Sequence, residues 1–579
     1  MVRHSSPLAG AFTALLGLVN LAHAFPNGMI RPRQTPIPGL ERCTSSTFDA
    51  VVAEFGGSLA PRSPYTSNTE PYSGNDAVLV WATRNTAINI PDICGVRIAV
   101  TGNVAFEIYL PSPQRWNRRF LTVGNGGFAG RTSRVDMFSR AVHGWAVMST
   151  NVGHEDASGG MSWAANNESL QIDWAWKAMA SSVPYAKAIV AAYYQNVSAV
   201  GNYYSGCSTG GRQGIRQVEV DANSFDGMLI GAPAWNVRSA MPVLSRIGWL
   251  GQTSGLKISP TDTLLLQRIY NRVYERCNVI GFDNTANDGA IRDSVACLDL
   301  FRQSGVSGPV WSGLDCDNNS PAANCVTLSQ RQAFMTLLEE FKAPKAPGED
   351  PSYAGDGFDI SGIKGLTTFL TQQSLTDFDQ QFSRYFLNET IVWDSDENGT
   401  RLITRSEEWD ARVRANADPA ILRGWRGKTI LYTGTADGTV SSLGTRRAFN
   451  LAGGTSNTKL AYFELPGMPH CADSGNGGEN PPWYIGGVGI SLANGGTWFM
   501  PNTTTPPLNN TEHDALVALT EWVEGGPGEA APTKLTATAF SNLASYTISK
   551  RRPICAAPKR QNYNAGDINS PESWSCVAA

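Results

Sequence analysis

NYYSGCSTGGRQGIRQVEV, residues 202–220, is the stretch that decides the fold. Its first residues read as the end of a buried strand, and the run from Gly210 onward opens a helix. Between them Gly206-Cys207-Ser208-Thr209-Gly210 fits G-x-S-x-G. A serine lifted above a sheet edge needs small neighbours, because the chain must reverse sharply from strand to helix. The first helical N–H, at Thr209, then points where a developing oxyanion could sit. The motif alone is common by chance. The strand before it, the helix after it and the second glycine pair give it weight. FDGMLIGAPA (225–234) follows as strand and turn, completing a β-α-β unit.

Outward from this unit the pattern repeats. RIAV (97–100), VAFEIYL (104–110), RFLTV (119–123) and WAVMST (145–150) are strand-like blocks bounded by Gly, Pro or Asn. Residues 171–194 have helical composition and spacing, KTILYTG (428–434) and LAYFEL (460–465) read as further strands, and 511–526 reads as a terminal helix ended by Gly525. Alternating strands and helices predict an α/β protein of α/β-hydrolase type, with a doubly wound, mostly parallel sheet. From about 240 to 405 the character changes. Helical stretches at 261–277 and 328–341 sit among cysteines and Gly/Pro/Asp loops, which predicts an inserted lid. The expected organisation is a signal peptide at 1–24, the first part of the catalytic domain at 25–240, the lid at 241–405 and the second part of the catalytic domain at 406–579. Residues 25–42 read as a mobile, Pro-rich leader.

The 579 residues are 42% hydrophobic and 17% charged, with a formal net charge of -4. That is globular, and it offers no electrostatic footprint for nucleic acid or an anionic membrane. Arg3 and His4 precede an apolar run from Leu8 to Leu21, and Ala22-His23-Ala24 is an A-x-A cleavage site, so secretion with a mature start near Phe25 is expected. The run is too short for a membrane span, which needs about 20 residues. Sequons begin at Asn167, Asn196, Asn318, Asn388, Asn398, Asn502 and Asn509. Ten cysteines in a secreted chain predict five disulfides. Spacing suggests Cys277–Cys297, Cys316–Cys325 and Cys555–Cys576, and proximity in sequence suggests Cys43–Cys94. Cys207 and Cys471 remain.

A serine hydroxyl is a weak nucleophile and needs a base. Six histidines are available, and His4 and His23 leave with the signal. In this fold the order is Ser, acid, His, which removes His143 and His154. His513 lies in the expected terminal helix, where a solvated histidine fits better. His470, in a loop after LAYFEL, is left as the base. Asp437 lies in TADGTV directly after KTILYTG and is the candidate acid, although Asp-Gly is also a common turn pair. If Ser208 and His470 meet, Cys207 and Cys471 are near enough to be bridged, within the roughly 4.4–6.8 Å Cα separation that a disulfide needs. Two buried free thiols, or other pairings, are the alternative.

These motifs resemble the tannase/feruloyl esterase family of secreted esterases. Its signature is a Cys-Ser pair, a distant Asp and a His-Cys pair with the cysteines bridged, matched by Cys207-Ser208, Asp437 and His470-Cys471. GNGGFAG (124–130), PGMPHC (466–471) and the C-terminal CAAPKR segment extend the likeness from about Cys43 to Cys576. The glycine loop resembles the oxyanion loops of lipases and esterases, with Gly126 or Gly127 as second donor beside Thr209. The resemblance also implies a calcium site in the loop Cys277–Cys297, with Asp283, Asn284 and Asp288 and carbonyls such as those of Ala286 and Ala290 as ligands. Here the pattern departs from the family: about three residues are inserted, and asparagines replace usual aspartates. Asn151 likewise stands where the family more usually has aspartate. The implied activity is ester hydrolysis on a small aromatic ester or a feruloylated polysaccharide. Cys-Ser-Thr-Gly-Gly favours the feruloyl branch over the tannase branch, where Cys-Ser-Asp-Gly-Gly is more usual. A catalytically dead hydrolase-fold binding protein is the rival class. Such a protein commonly lacks the nucleophile or the base, and here Ser, Asp and His all stand in order.

Overall fold

The computed structural model describes residues 39–61, 93–156, 159–253, 264–280, 290–316, 325–343, 352–363, 375–391, 393–472, 483–486, 508–526, 528–542 and 547–578. Seven strands come first: β1 (Ser58–Pro61), β2 (Ile93–Ala99), β3 (Ala105–Pro111), β4 (Arg119–Val123), β5 (Ala146–Thr150), β6 (Gly201–Cys207) and β7 (Gly227–Gly231). After a short antiparallel pair, β8 (Phe341–Ala343) and β9 (Ser352–Gly355), come β10 (Lys428–Gly434) and β11 (Leu460–Leu465). Among the described residues the main sheet has nine strands in the order β1-β2-β3-β5-β4-β6-β7-β10-β11. From β5 to β11 every neighbour is parallel, and β1 to β3 add an antiparallel edge. This is the α/β-hydrolase fold.

The strand sequences explain the parallel core. β5 and β7 are buried along their whole length, and only Lys428 of β10 is less than buried. Parallel strands are covered by helices on both faces, so they read as continuous apolar runs rather than alternating ones. The helices Ala178–Tyr193 and Thr209–Val220 pack together on one face. Arg134–Ala141 and Ala515–Glu524 contribute Phe138, Leu516, Leu519 and Trp522 to a core with β4, β10 and β11. Because the central strands are parallel, the ends of β6, β10 and β11 emerge along one edge of the sheet, where open α/β sheets carry their sites.

Between β7 and β10 the chain leaves the sheet and builds helices over Leu264–Cys277, Ser294–Ser304, Leu328–Leu337 and Leu375–Phe386. Thr327 and Gln330 form a capping box on the third of these. The helices Val237–Thr253 and Asp396–Val413 run across residues 240/241 and 405/406. Trp311 packs edge-on between Phe301 and Phe334, with centroids 5.4 and 5.8 Å away. This apolar cluster is continuous with Phe128, Val152 and Trp174 of the sheet half.

Four details correct the sequence reading. The helix expected at 328–341 ends at Leu337, and Phe341 begins β8. The helix expected at 511–526 spans Ala515–Glu524 with Asp514 as its cap, so His513 lies outside it and is buried, not solvated. Before this helix lies β12 (Trp483–Tyr484), which forms one sheet with β13 (Lys534–Asn542) and β14 (Thr547–Cys555) after it, and the chain ends in a hairpin of β15 (Lys559–Tyr563) and β16 (Trp574–Ala578). The end of the presumed mobile leader is pinned. Leu40 is buried, and the Arg42 guanidinium donates to the carbonyls of Ala192 and Tyr193 at 2.7 and 2.8 Å. The rest of the leader, the signal segment, Asn318 and Asn502 lie outside the described residues.

Candidate active site

Ser208 follows β6 with φ 63° and ψ -125°, a left-handed conformation that costs a non-glycine residue energy. Its N–H donates to the Gly231 carbonyl at 3.0 Å, and its own carbonyl accepts from Ala234 at 3.1 Å. The glycines around it are required by space. A Cβ on Gly206 would fall 2.7 Å from the Gly210 carbonyl, and one on Gly210 would fall 2.9 Å from the Asn125 carbonyl. Tyr204 lies under the turn and donates its hydroxyl to the Gly210 carbonyl, and burial pushes that hydroxyl well above its ordinary pKa, so it stays protonated. Arg212, one turn further along, is fully buried and donates to the carbonyls of Ala175 and Ala415. Burial lowers it to about 10, which leaves it charged near neutral pH.

The glycine loop packs directly against this turn. A Cβ on Gly124 would meet the Tyr204 hydroxyl at 2.3 Å. The Asn125 N–H donates to Gln213 Oε1 at 2.9 Å, which ties the loop to the helix that begins at Thr209. Gly127 has φ 53° and open space where a Cβ would stand. Thr209 is the first residue of its helix, so its N–H has no acceptor within that helix.

Asp437 comes three residues after β10 and is wholly buried. Its two oxygens do different things. Oδ1 accepts the N–H groups of Thr439 and Val440, both at 2.8 Å, and Oδ2 lies 2.7 Å from His470 Nδ1. The turn aspartate and the histidine partner are therefore one residue. The two amides were not picked out from the sequence, although the Asp-Gly turn pair is their signal. With Oδ1 fixed by the turn, the direction of Oδ2 depends on the loop backbone.

Cys207 and Cys471 are bridged with a Cα separation of 5.9 Å, so the residue before Ser208 is joined to the residue after His470. The other four bridges are Cys43–Cys94, Cys277–Cys297, Cys316–Cys325 and Cys555–Cys576, which leaves no free cysteine. Asn151 is held as an amide. Its Oδ1 accepts from Ala105 and Gly153, and its Nδ2 donates to the Asn103 carbonyl and to Glu155. An aspartate there would face a carbonyl and a carboxylate with no hydrogen to offer. His154 is pressed against Gly130 of the glycine loop and stacked on Trp163, and burial lowers it to about 4. Of the expected calcium ligands, Asp283, Asn284, Ala286 and Asp288 lie outside the described residues, and Ala290 is buried at the edge of that gap.

The sequence profile described as tannase and feruloyl esterase matches residues 94–577. The chain belongs to this family. Its members are carboxylic ester hydrolases, and this chain is an ester hydrolase of that family. A protein named feruloyl esterase B, from Aspergillus niger, is 26% identical over 509 residues, covering 84% of this chain and 87% of its own. A probable feruloyl esterase B-1 from Aspergillus flavus is 26% identical over 514 residues, covering 84% and 86%. In fold, the chain is similar to the crystal structure of feruloyl esterase B from Aspergillus oryzae. The TM-score is 0.72 at 22% identity, over 92% of this chain and 99% of the other. The tannin acyl hydrolase of Aspergillus niger gives 0.65 at 19% identity, over 93% and 95%. Among the described residues no helix is long and apolar enough to cross a membrane.

Proposed function

We propose that this family esterase is a secreted feruloyl esterase that releases ferulic or related hydroxycinnamic acids from plant cell-wall polysaccharide. Ser208 is the nucleophile, His470 the base and Asp437 the acid that orients it. The observation that carries the reading is the 2.7 Å contact between His470 Nδ1 and Asp437 Oδ2, on a loop bridged to the Ser208 turn. Asp437 fixes the imidazole with its proton on Nδ1, so Nε2 takes the Ser208 proton as Oγ attacks the ester carbonyl. The N–H groups of Thr209 and Gly127 receive the developing oxyanion. His470 then protonates the leaving alcohol. A water attacks the acyl-enzyme by the same route and frees the acid.

Several observations support the finer points. The relatives named above as feruloyl esterases bear on the acyl group, as does Thr209 after the nucleophile. Five disulfides and the apolar stretch before Phe25 favour an oxidising, extracellular destination. Calcium in the Cys277–Cys297 loop remains part of the proposal on its sequence pattern and its closed bridge. The test is a panel of methyl ferulate, caffeate, p-coumarate, sinapate and gallate esters with wild type and Ser208→Ala. Hydroxycinnamates should be preferred, and the variant should lose on the order of 10⁴-fold or more in turnover. A gallate preference would assign the chain to the tannase branch. Near-wild-type turnover by Ser208→Ala would overturn the mechanism.

A further inference from the structure

Asp359 lies in the insertion, far in sequence from Ser208, Asp437 and His470, yet it is tied to both ends of the loop that carries Asp437. It is 1% exposed. Its Oδ1 accepts the Ser361 N–H at 2.9 Å and lies 2.7 Å from Ser361 Oγ, and its Oδ2 accepts the hydroxyls of Ser294 and Ser442, each at 2.7 Å. Ser442 opens the helix that follows the Asp437 loop. Ser361 Oγ also lies 2.7 Å from the carbonyl of Thr435, two residues before Asp437. The next residue, Gly362, sits so close that a Cβ there would fall 2.8 Å from the Asp437 carbonyl. Ser294, Ser361, Thr435 and Ser442 are all buried.

A buried carboxylate is costly unless its lone pairs are filled. Among the described residues this one is filled by serine hydroxyls and a backbone N–H, donors drawn from three separate segments of chain. A staple within the insertion would not need to reach Thr435 and Ser442. The reach matters because Asp437 Oδ1 is already held by its own loop, so where Oδ2 points is set by the loop backbone between Thr435 and Ser442.

We propose that Asp359, acting through Ser361 and Ser442, is a positioning residue for the Asp437–His470 pair, and that it makes the insertion part of the catalytic framework. This rests on the triad reading above. Loss of the Asp359 carboxylate lets the Asp437 loop shift, and a misplacement of about 1 Å can cost roughly 10²-fold in rate. Substrate contacts made elsewhere are unaffected.

The experiment measures kcat and KM on methyl ferulate, the pH profile of kcat/KM and the folded fraction for Asp359→Ala, Asp359→Asn, Ser361→Ala and Ser442→Ala. Asp359→Ala should lose roughly 10- to 100-fold in kcat with KM within about twofold. Its acid limb should move to lower pH, because an imidazolium whose carboxylate has shifted away is less stabilised. Asp359→Asn keeps the shape, and the serine hydroxyls can turn to accept from its amide, so it should recover most of the turnover. If Asp359→Ala does not fold, the single hydroxyl deletions decide: each should lower kcat severalfold and move the limb in the same direction. Unchanged kcat and pH profile in folded Asp359→Ala, or in both serine variants, overturns the inference. Asp437→Asn separates the two claims. If it abolishes turnover while the Asp359 and serine variants do nothing, positioning alone fails. If it keeps turnover, the triad reading fails.

Discussion

Replacing Cys207 and Cys471 together by alanine removes the one covalent link between the Ser208 turn and the His470 loop. The bridge spans 264 residues, although Cys277–Cys297 and Cys316–Cys325, spanning 20 and 9, shorten the effective path. Chain entropy then assigns the bridge about 5 kcal/mol of stabilisation, drawn mainly from the unfolded state. That is comparable to the whole margin of many domains, about 5–15 kcal/mol, so a large fall in denaturation midpoint is expected. Stability is only half of the prediction. Cys207, Ala232 and Cys471 are buried together with Val440 packed against them, so the bridge also fills the space beside the Ser208 turn and the His470 loop. Two alanines leave that space partly empty and free His470 to drift from Ser208. Turnover per folded molecule should therefore drop roughly 10²-fold. The assay pairs circular dichroism, for the folded fraction, with kcat on methyl ferulate at a temperature where the variant is folded. Full turnover per folded molecule would show that the bridge is a staple and refute the geometric argument. Non-reducing peptide mapping that links Cys207 to another cysteine would undercut the site itself.

Asp514 caps the helix Ala515–Glu524 and pairs with Arg140 at 2.6 Å, with both groups buried, so Asp514→Ala should cost about 3–5 kcal/mol in urea unfolding because it strands a charge; a loss below about 1 kcal/mol would mean the pair is solvated in solution. Asn151→Asp removes two amide donors beside a carbonyl and Glu155, and should destabilise by about 1–3 kcal/mol; an equally stable variant would show that those two bonds contribute nothing. His154 titrates near 6.5 when unfolded and about 4 when folded, so the unfolded state takes up the proton first and stability falls as pH drops from 6.5 toward 4. His154→Gln should flatten that part of the urea-midpoint profile, and identical slopes would rule the group out. Chelation should lower the melting temperature if the Cys277–Cys297 loop holds calcium; pure protein without bound metal, and indifferent to chelator, would remove calcium from the proposal.

The candidate triad came from local signals: the G-x-S-x-G turn for Ser208, the Asp-Gly turn after the apolar run of β10 for Asp437, and elimination among six histidines for His470. The same holds for the cysteines: local spacing was enough for Cys277–Cys297, Cys316–Cys325 and Cys555–Cys576. Cys207–Cys471 was reached only by first supposing that Ser208 and His470 meet. Where the reading failed, the signal was non-local. β13 to β16 pair antiparallel at the end of the chain, and a run such as KLTATAFSN shows its apolar face only once β12 and β14 lie beside it. His513 reads as exposed among charged residues, and it is buried, outside a helix that begins at Ala515, four residues later than expected.

The sequence by itself determined the strands and helices around the parallel core, their order and the chemistry available at their ends, but not β12 to β16. Periodicity and turn chemistry act over a few residues, and a strained serine turn between Gly206 and the Gly210-Gly211 pair has few other uses. Only the tertiary structure decided which oxygen of Asp437 meets His470, why Asn151 must be an amide, and that from the insertion Asp359 reaches Ser442 while Ser361 reaches Thr435. Those are contacts between residues tens to hundreds of positions apart. No local pattern encodes them, because a buried polar group is specified by the partners that fold around it and not by its neighbours in the chain.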